Sequence, residues 1–363
     1  MTTTTFDINP DIRRRNQMNQ VKRDAFRLIG LGTAIALATV VALIFVSPFF
    51  YMLTTSFKND QQLGLPSRPL LPMTPLTFNY QDQELPLYNV PVNGVMRQLA
   101  LKEQRRKSAT FVDPQNPDAE PIVYEDRVAT LTQVMSFSPS PEVYTKASDR
   151  MDFPRALLNT LAITLISSFG AVTSAALVAY GFSRFRIPGS NVLFVVLMAT
   201  IILPPQVTLI PTFIIFQKLG WIGTLLPLIV PHFFSNAYNV FLLRQYFLGI
   251  PNEMDEAAKV DGANPFQTFL WVVLPQARAA LITVTLFHFI VIWGEFYNAL
   301  IFTSGSHEAQ PLSVALQRFQ QQYSGQVNQM MAGAVLTMLV PLIIFFLAQR
   351  VFMQGVVITG VEK

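Results

Sequence analysis

Few residues in this sequence are of types that could do chemistry, and those few exclude most classes of enzyme. The chain has no Cys and only 3 His, so thiol nucleophiles, disulfides and cysteine metal sites are excluded. None of His232, His288 and His307 has a second ligand one helical turn away. Neither a nucleophile elbow nor a Gly-x-x-x-x-Gly-Lys-Ser/Thr phosphate loop occurs. We therefore expect no catalytic residue, no metal and no cofactor in this chain.

Glu295 is a carboxylate within an apolar stretch long enough to cross a membrane. A charge in the hydrocarbon layer is costly unless it faces a cavity or a partner. His288 and Asn298 lie within one to two helical turns of it, on roughly the same side. These three residues are candidates for a polar path through the membrane, although hydrogen bonding between helices would also explain them.

The polar connection 249–275 has a regular pattern of helix signals. Gly262 can adopt the left-handed conformation that ends a helix, and Asn264 with Gln267 has the spacing of a capping box at the start of the next. Pro275 is expected to end that second helix. Two helices this short are marginal in water, so the loop must be held by packing against something else.

Apolar stretches surround these groups and must position them. The composition is 51% hydrophobic and 13% charged, which is typical of a membrane protein. Six stretches reach the length of about 20 residues that a spanning helix needs. They are Leu28–Phe57, Ala156–Ser183, Ile187–Gln217, Leu219–Leu243, Ala279–Gly305 and Phe319–Gln349.

The distribution of Lys and Arg predicts the orientation. Six of them lie in the basic segment 1–27, before the first stretch, and the positive-inside rule then places the N-terminus in the cytoplasm. An even number of spans places the C-terminal tail, 351–363, there as well. The first stretch is too long for a signal peptide, so we interpret it as a retained helix.

The segment 58–155, between the first span and the transmembrane core 156–350, is predicted to be an insertion on the extracytoplasmic side of the membrane. It carries most of the chain's mixed charge and many prolines, and we expect a small, partly ordered unit in which Val95–Lys107 is helical. Prolines within the third and fourth spans should kink or break those helices.

Several runs together resemble a known family. Glu256-Ala257-Ala258, Gly262 and Val272-Val273-Leu274-Pro275 have the spacing of the EAA loop, the signature of membrane subunits of binding-protein-dependent ABC importers. The family usually has Ile at the position of Val272. Further similar runs are Leu53 to Lys58, Leu76 to Tyr80, Leu158 to Thr160, Ala179 to Phe185, Pro205 to Pro211, and Gln349-Arg350.

The chain is similar to the smaller permease subunit of maltose-type and glycerol-phosphate-type importers, except across 81–150, where the family has a shorter loop. The resemblance implies an all-α, polytopic fold of six transmembrane helices with both termini cytoplasmic, the type I ABC importer permease fold. It also implies a multi-pass protein of the bacterial inner membrane that carries a sugar or sugar-like solute.

The resemblance implies partners as well: a second permease subunit, an ATPase dimer that binds ATP and Mg²⁺, and an extracytoplasmic binding protein. Coupling to the ATPase is expected through the EAA loop and, in the tail, through Gln354 and Gly355. The expected coupling residues in the loop are Glu256, Ala257, Ala258, Asp261, Gly262, Leu274 and Pro275.

Two other classes of protein remain open from the residues alone. An ion-coupled secondary transporter would also be polytopic and lack ATP motifs, but no internal repeat is evident and only one carboxylate lies in a span. A membrane-embedded enzyme is disfavoured by the scarcity of histidine. The net charge of +4 is small and no continuous basic face exists, so nucleic acid is not an expected partner, whereas membrane lipid is.

Overall fold

The computed structural model describes the backbone of residues 10–92, 94–323 and 325–357, and side chains from residue 26 to residue 349 except those of 93, 205 and 324. Helices make up most of it. They are α1 Pro10–Ser56, α2 Asp60–Leu63, α3 Glu142–Met151, α4 Phe153–Arg184, α5 Ser190–Ala199, α6 Pro205–Lys218, α7 Leu226–Ile229, α8 Ala237–Leu248, α9 Asn252–Val260, α10 Pro265–Thr268, α11 Leu274–Gln276, α12 Arg278–Trp293, α13 Tyr297–Phe302, α14 Leu312–Gln322 and α15 Val327–Val357.

Within the described residues, 4 helices are long and apolar enough to cross a membrane, or up to 6 if each of two bent helix pairs forms one span. The four lie within α1, α4, α7 to α8, and α15. No residue in the most apolar part of the first of them, Phe26–Ser56, is buried inside the chain, whereas Thr54, Thr55 and Ser56 at its end are buried. That helix therefore presents most of its apolar side chains to lipid or to another subunit.

The proline-rich third and fourth apolar stretches are broken, which confirms the prediction. Helices α5 and α6 meet at 97°, with Pro204 at the N-cap of α6. In the fourth stretch, α7 and a 3₁₀ turn at Val230–Phe234 precede Ser235, whose φ is +69°. Because a left-handed Ser cannot continue a helix, Asn236 begins α8 afresh with a side-chain cap.

The expectation of an all-α protein is wrong for the segment between α1 and α4. A six-stranded antiparallel sheet forms there, with the order β2-β3-β4-β5-β6 and β7 also paired to β3, and a separate β1-β8 pair forms its base. The strands are β1 Met73–Pro75, β2 Thr77–Tyr80, β3 Gln83–Val92, β4 Val95–Gln104, β5 Ala109–Val112, β6 Ile122–Tyr124, β7 Thr132–Gln133 and β8 Met135–Phe137.

Strand β4 replaces the helix predicted for Val95–Lys107. Apolar residues in this stretch fit a helical period locally, but β4 pairs with β3 on one side and β5 on the other. Pairing on both sides buries Leu99 completely, against Val90 and Phe111. Tertiary pairing thus decides the conformation, as is common for β-strands.

The strands β1 to β8, residues 73–137, are called the β unit below. A buried polar junction joins this unit to the membrane helices. The Gln62 side chain, 2% exposed, donates hydrogen bonds to Thr74 Oγ1 and to the Ser138 carbonyl, both at 2.8 Å. Asn328 at the start of α15 donates to the Lys58 carbonyl at 2.9 Å. Burial of the Lys58 ammonium lowers its pKa. The junction ties the two ends of the β unit to each other through Gln62 and ties the first end to α15 through Asn328.

Helix α4 is the axis of the helical body. Its small residues, among them Ala175 and Ala179, are buried in a core cluster with Val240 and Phe247 of α8. With 32 residues, α4 is about 48 Å long at about 1.5 Å per residue. Its first turn follows the β unit, and its last residue contacts the loop 249–275, so the two lie at opposite ends of the molecule.

Candidate functional site

The first helix of the EAA loop, α9, ends at Gly262 with the predicted geometry. Gly262 has φ +85°. Its N–H donates to the Lys259 carbonyl at 3.0 Å, and the Ala263 N–H donates to the Ala258 carbonyl at 2.9 Å. This pair of bonds is a Schellman motif, which needs a left-handed residue at this position. A Cβ at Gly262 would meet no atom within 4 Å, so its requirement for glycine lies in the backbone.

The second half of the loop begins as predicted and continues further than predicted. Asn264 and Gln267 form a reciprocal capping box, with bonds of 2.9 and 2.8 Å. The chain then forms a π-helical turn at Phe269–Val273 and continues through Pro275, which sits in the first turn of α11. The expectation that Pro275 ends the helix is wrong, because Val273 and Leu274 keep helical dihedrals and the chain stays helical to Gln276. The chain bends instead at Ala277, by 80°.

One face of α9 is acidic and open. Glu256, Ala257 and Asp261 are exposed, and Ala258 is buried beneath them. A shallow groove between α9 and the π-helical turn is lined by Glu253, Met254, Ala257, Ala258, Asp261 and Val272. Leu274 is half-buried and packs on the helical core, whereas Pro275 is exposed. The open face combines small residues with carboxylates.

Arg184, the last residue of α4, anchors this loop to the helical body. Its Nε lies 2.8 Å from Oδ2 of Asp255, and the two side chains are only 6% and 12% exposed. The contact is an ion pair rather than an aligned hydrogen bond, since Nε has no hydrogen-bond partner among the described residues. The other guanidinium nitrogens donate to Asn252 Oδ1 at 2.8 Å and to the Ile250 carbonyl at 2.9 Å.

Tyr180, one turn earlier in α4, anchors the second half of the loop. Its hydroxyl donates to the Pro265 carbonyl at 3.1 Å, and its ring centroid lies 4.9 Å from that of Phe269. Both halves of the EAA loop are therefore bound to the same end of α4.

A partly open cavity of about 240 Å³ lies nearer the opposite end of the helices. Parts of α4, α6, α7, α12 and α13 line it. Its polar lining consists of Thr160, Thr164, Thr208, Thr212, His232, Glu295 and Asn298. The structure thus places two of the three predicted path residues, Glu295 and Asn298, in one cavity.

Glu295 lies in a break between α12 and α13 rather than inside one continuous span. Its Oε1 accepts a hydrogen bond from the Asn298 N–H at 3.1 Å, and its carbonyl accepts from Ser313 Oγ at 2.8 Å. The carboxylate is half-buried and caps α13, where the free N–H groups of a helix start favour a negative charge.

Comparison with known proteins identifies the chain's family. The family described as the binding-protein-dependent transport system inner membrane component matches residues 171–358. The chain belongs to this family. The matched region holds Tyr180, Arg184, the EAA loop and Glu295, and it excludes the β unit.

Curated relatives of this permease include other transport proteins. A probable ABC transporter permease protein of Pyrococcus horikoshii is 31% identical over 66% of this chain and 88% of its own length. An osmoprotective compounds uptake permease protein of Synechocystis is 30% identical over 57% and 70%. The sn-glycerol-3-phosphate transport system permease protein of Pectobacterium atrosepticum is 32% identical over 56% and 73%.

A solved structure shares the fold of the permease over nearly its whole length. It is a chain of a bacterial ABC transporter involved in the import of the acidic polysaccharide alginate, with a TM-score of 0.62 and 20% identity. The match covers 96% of the permease and 99% of that chain. The likeness shows the type I importer permease fold, including the part of the chain that holds the β unit.

His288, the third predicted path residue, does not line the cavity of the permease. It is buried, with Nδ1 3.5 Å from the Asn239 amide nitrogen. Its ring centroid lies 5.1 Å from that of His232, which does line the cavity. His232 was overlooked because it precedes a break that sequence periodicity does not locate.

Sequence reasoning also missed the structural partners of the EAA loop. Arg184 and Tyr180 lie in a run that resembles the family, yet nothing in their local pattern assigns them a contact. A basic residue at the end of a span reads as an orientation signal. The predicted tail residues Gln354 and Gly355 lie where only the backbone, helical through Val357, is described, and 358–363 lie outside the described residues.

Proposed function

We propose that this permease is one of two membrane subunits of an ATP-driven importer and couples to a separate ATPase through the EAA loop. It spans the membrane six times, with both termini in the cytoplasm: α5 with α6 forms one span, α12 forms another, and the EAA loop lies on the cytoplasmic side. It performs no catalysis, binds no cofactor, and leaves ATP and Mg²⁺ to the ATPase dimer.

The observation that carries this proposal is the EAA loop itself. Its face of exposed carboxylates and small side chains suits close approach to a basic cleft. Behind that face, Asp255 is paired to Arg184 at the end of α4, and Pro265 accepts a bond from Tyr180. A displacement of the loop is therefore transmitted to α4, which also lines the cavity near Glu295. The helical tail that includes Gln354 and Gly355 would add a second contact to the ATPase.

The names of the relatives support a sugar or sugar-like cargo. Two of them are described as permeases for osmoprotective compounds and for sn-glycerol-3-phosphate. The cargo would be delivered by an extracytoplasmic binding protein and would pass between this chain and a second permease subunit. Glu295 and Asn298 would face that path from this chain, with His288 behind them.

Reconstitution in liposomes tests the proposal against an ion-coupled secondary transporter. The chain alone should accumulate no sugar under a proton or sodium gradient. Together with its partner permease, ATPase and binding protein, it should transport only when ATP is supplied. Gradient-driven accumulation by the chain alone would contradict the proposal and favour the secondary transporter.

A further inference from the structure

Arg244 of α8 is a half-buried cation that has no counter-ion among the described residues. Its guanidinium carbon lies 4.3 Å from the centroid of the Phe194 ring of α5. Its Nε is sealed by the protein and makes no described hydrogen bond, whereas the two terminal nitrogens reach the surface. A charge held in this way is costly unless an anion compensates it. The terminal nitrogens are where an anion from outside the chain could bind.

Arg244 and Phe194 lie just inside the ends of their helices. Arg244 is one turn before the end of α8, where the EAA loop begins, and Phe194 is one turn after the start of α5. One turn is about 5.4 Å long, so the two helices place the pair at the same depth. In the proposed orientation this depth is the cytoplasmic membrane interface, where a long Arg side chain reaches toward the lipid head groups.

The surface around Arg244 is apolar. Helix α8 exposes Tyr238, Phe241 and Leu248, and no residue of Ser190–Ala199, which form α5, is buried. Acyl chains can cover such a surface while a head group contacts the guanidinium. A basic group between two helices on the cytoplasmic side is a typical site for an anionic lipid head group.

The charge at this end of the helices favours a phosphate over a single carboxylate. Arg184, at the same end, is already compensated by Asp255, but Arg244 is not. Arg186, in the connection that precedes α5, is exposed and adds a further cation. A guanidinium donates two parallel hydrogen bonds to a phosphate, and its flat face can at the same time stack on an aromatic ring.

We propose that Arg244 and Phe194 form a binding site for the phosphate of an anionic phospholipid, whose acyl chains lie along α5 and α8. The inference takes from the proposed function only the orientation in the membrane. Leu197 of α5 packs on the core cluster that α4 and α8 share. A lipid bound at Arg244 therefore holds α5 against the helices that carry the EAA loop.

Lipid titration of the assembled importer tests this site. The complex with its partner permease and ATPase is stripped of lipid and titrated with phosphatidylglycerol or phosphatidylcholine. Native mass spectrometry counts the retained lipid, and thermal unfolding follows its effect. Phosphatidylglycerol should bind wild type and raise its unfolding temperature. In Arg244→Gln its affinity should fall about tenfold, because a charge-assisted contact to phosphate is lost. Binding of phosphatidylcholine, which has no net charge, should change little.

Three further variants separate the site from a general effect of charge. Arg278→Gln removes a cation that is exposed at the same end and donates to the Pro275 carbonyl, and it should bind phosphatidylglycerol like wild type. Phe194→Leu keeps the charge and the apolar surface but removes the ring, so affinity should fall severalfold. Arg244→Lys keeps the charge without the two-pronged donor, and its affinity should lie between those of wild type and Arg244→Gln.

Four outcomes would overturn the proposal. Equal affinity for phosphatidylglycerol in wild type and Arg244→Gln is the first, and unchanged affinity in Phe194→Leu is the second. Loss of the partner permease from Arg244→Gln in either lipid would instead assign the guanidinium to a carboxylate of that subunit. Displacement of phosphatidylglycerol by inorganic phosphate would show an anion site that needs no lipid.

Uptake by the wild-type complex, measured separately in liposomes, keeps this inference distinct from the proposed function. A complex that transports with ATP but shows no lipid binding dependent on Arg244 contradicts the lipid site alone. A complex that binds phosphatidylglycerol through Arg244 but fails to transport contradicts the proposed function alone.

Discussion

At the scale of residues, the buried pair Arg184–Asp255 connects the EAA loop to the membrane helices. Buried ion pairs carry a desolvation cost that offsets much of their attraction, so their net contribution is often small. Removal of one partner is different, because it leaves the other charge buried and uncompensated. This pair therefore fixes where the loop sits more than it adds to overall stability.

Arg184→Ala and Asp255→Ala should each destabilise the purified transporter by about 3–5 kcal/mol. The double variant should cost much less than the sum, because neither charge is then left alone. Thermal unfolding of the assembled complex measures this coupling. The exposed pair Arg155–Asp152, at 3.4 Å and 54% exposure for both side chains, is the control, and its coupling should be within about 1 kcal/mol. Additive losses at Arg184 and Asp255 would contradict the assigned role.

Local chemistry made several residues of the candidate site predictable. The left-handed Gly262 and the capping box of Asn264 follow from rules that act within a few residues. Asp255 could be read only as a first-turn acid of α9, because its partner Arg184 lies on another helix. Long-range pairing of this kind leaves no periodic signal in the sequence.

At the scale of elements, the β unit is the largest departure from expectation. Its prolines and mixed charge indicate extended chain, and the fold agrees, but periodicity alone assigned β4 to a helix. Its base is compact: Pro75 of β1 lies opposite Met135 of β8, and α3 packs Ala147 against Ala332 of α15. We therefore expect removal of the sheet to leave the helices undisturbed.

Deletion of residues 77–133, with a short Gly/Ser turn joining Leu76 to Val134, should leave membrane insertion and ATPase association unchanged. The Leu76 N–H already donates to the Val134 carbonyl at 2.9 Å. The new turn would therefore join two residues that are already hydrogen-bonded to each other. If the sheet contacts the binding protein, stimulation of ATP hydrolysis by the loaded binding protein should weaken severalfold in this variant. Stimulation equal to wild type would show that the sheet is dispensable for that contact.

At the scale of the whole molecule, helix α4 connects two surfaces about 48 Å apart. The apolar stretches and the family resemblance made the helical body predictable, because hydrophobic length and EAA spacing are local features. The breaks at Ser235 and between α12 and α13 were not predictable with the same precision. They depend on how neighbouring helices satisfy the freed backbone groups, and they are what shapes the cavity at Glu295.

Co-purification of the ATPase subunit with variants of the EAA loop tests whether this loop is the docking element. Gly262→Val should insert at near-normal levels yet lose the ATPase, because a β-branched residue at φ +85° costs about 1 kcal/mol or more and shifts the loop backbone. Gly262→Asn, which tolerates this conformation, should retain it. Gly189→Val, an equally strained turn at φ +74° outside the loop, should retain it too.

Glu256→Lys adds a change of charge to the same measurement with little disturbance of the backbone, since Glu256 is exposed on α9. It should weaken recovery of the ATPase by placing a cation opposite a basic cleft. We expect loss of the ATPase with Gly262→Val and Glu256→Lys, and its retention with Gly262→Asn and Gly189→Val. Full recovery of the ATPase with both Gly262→Val and Glu256→Lys would show that the EAA loop is not the docking element.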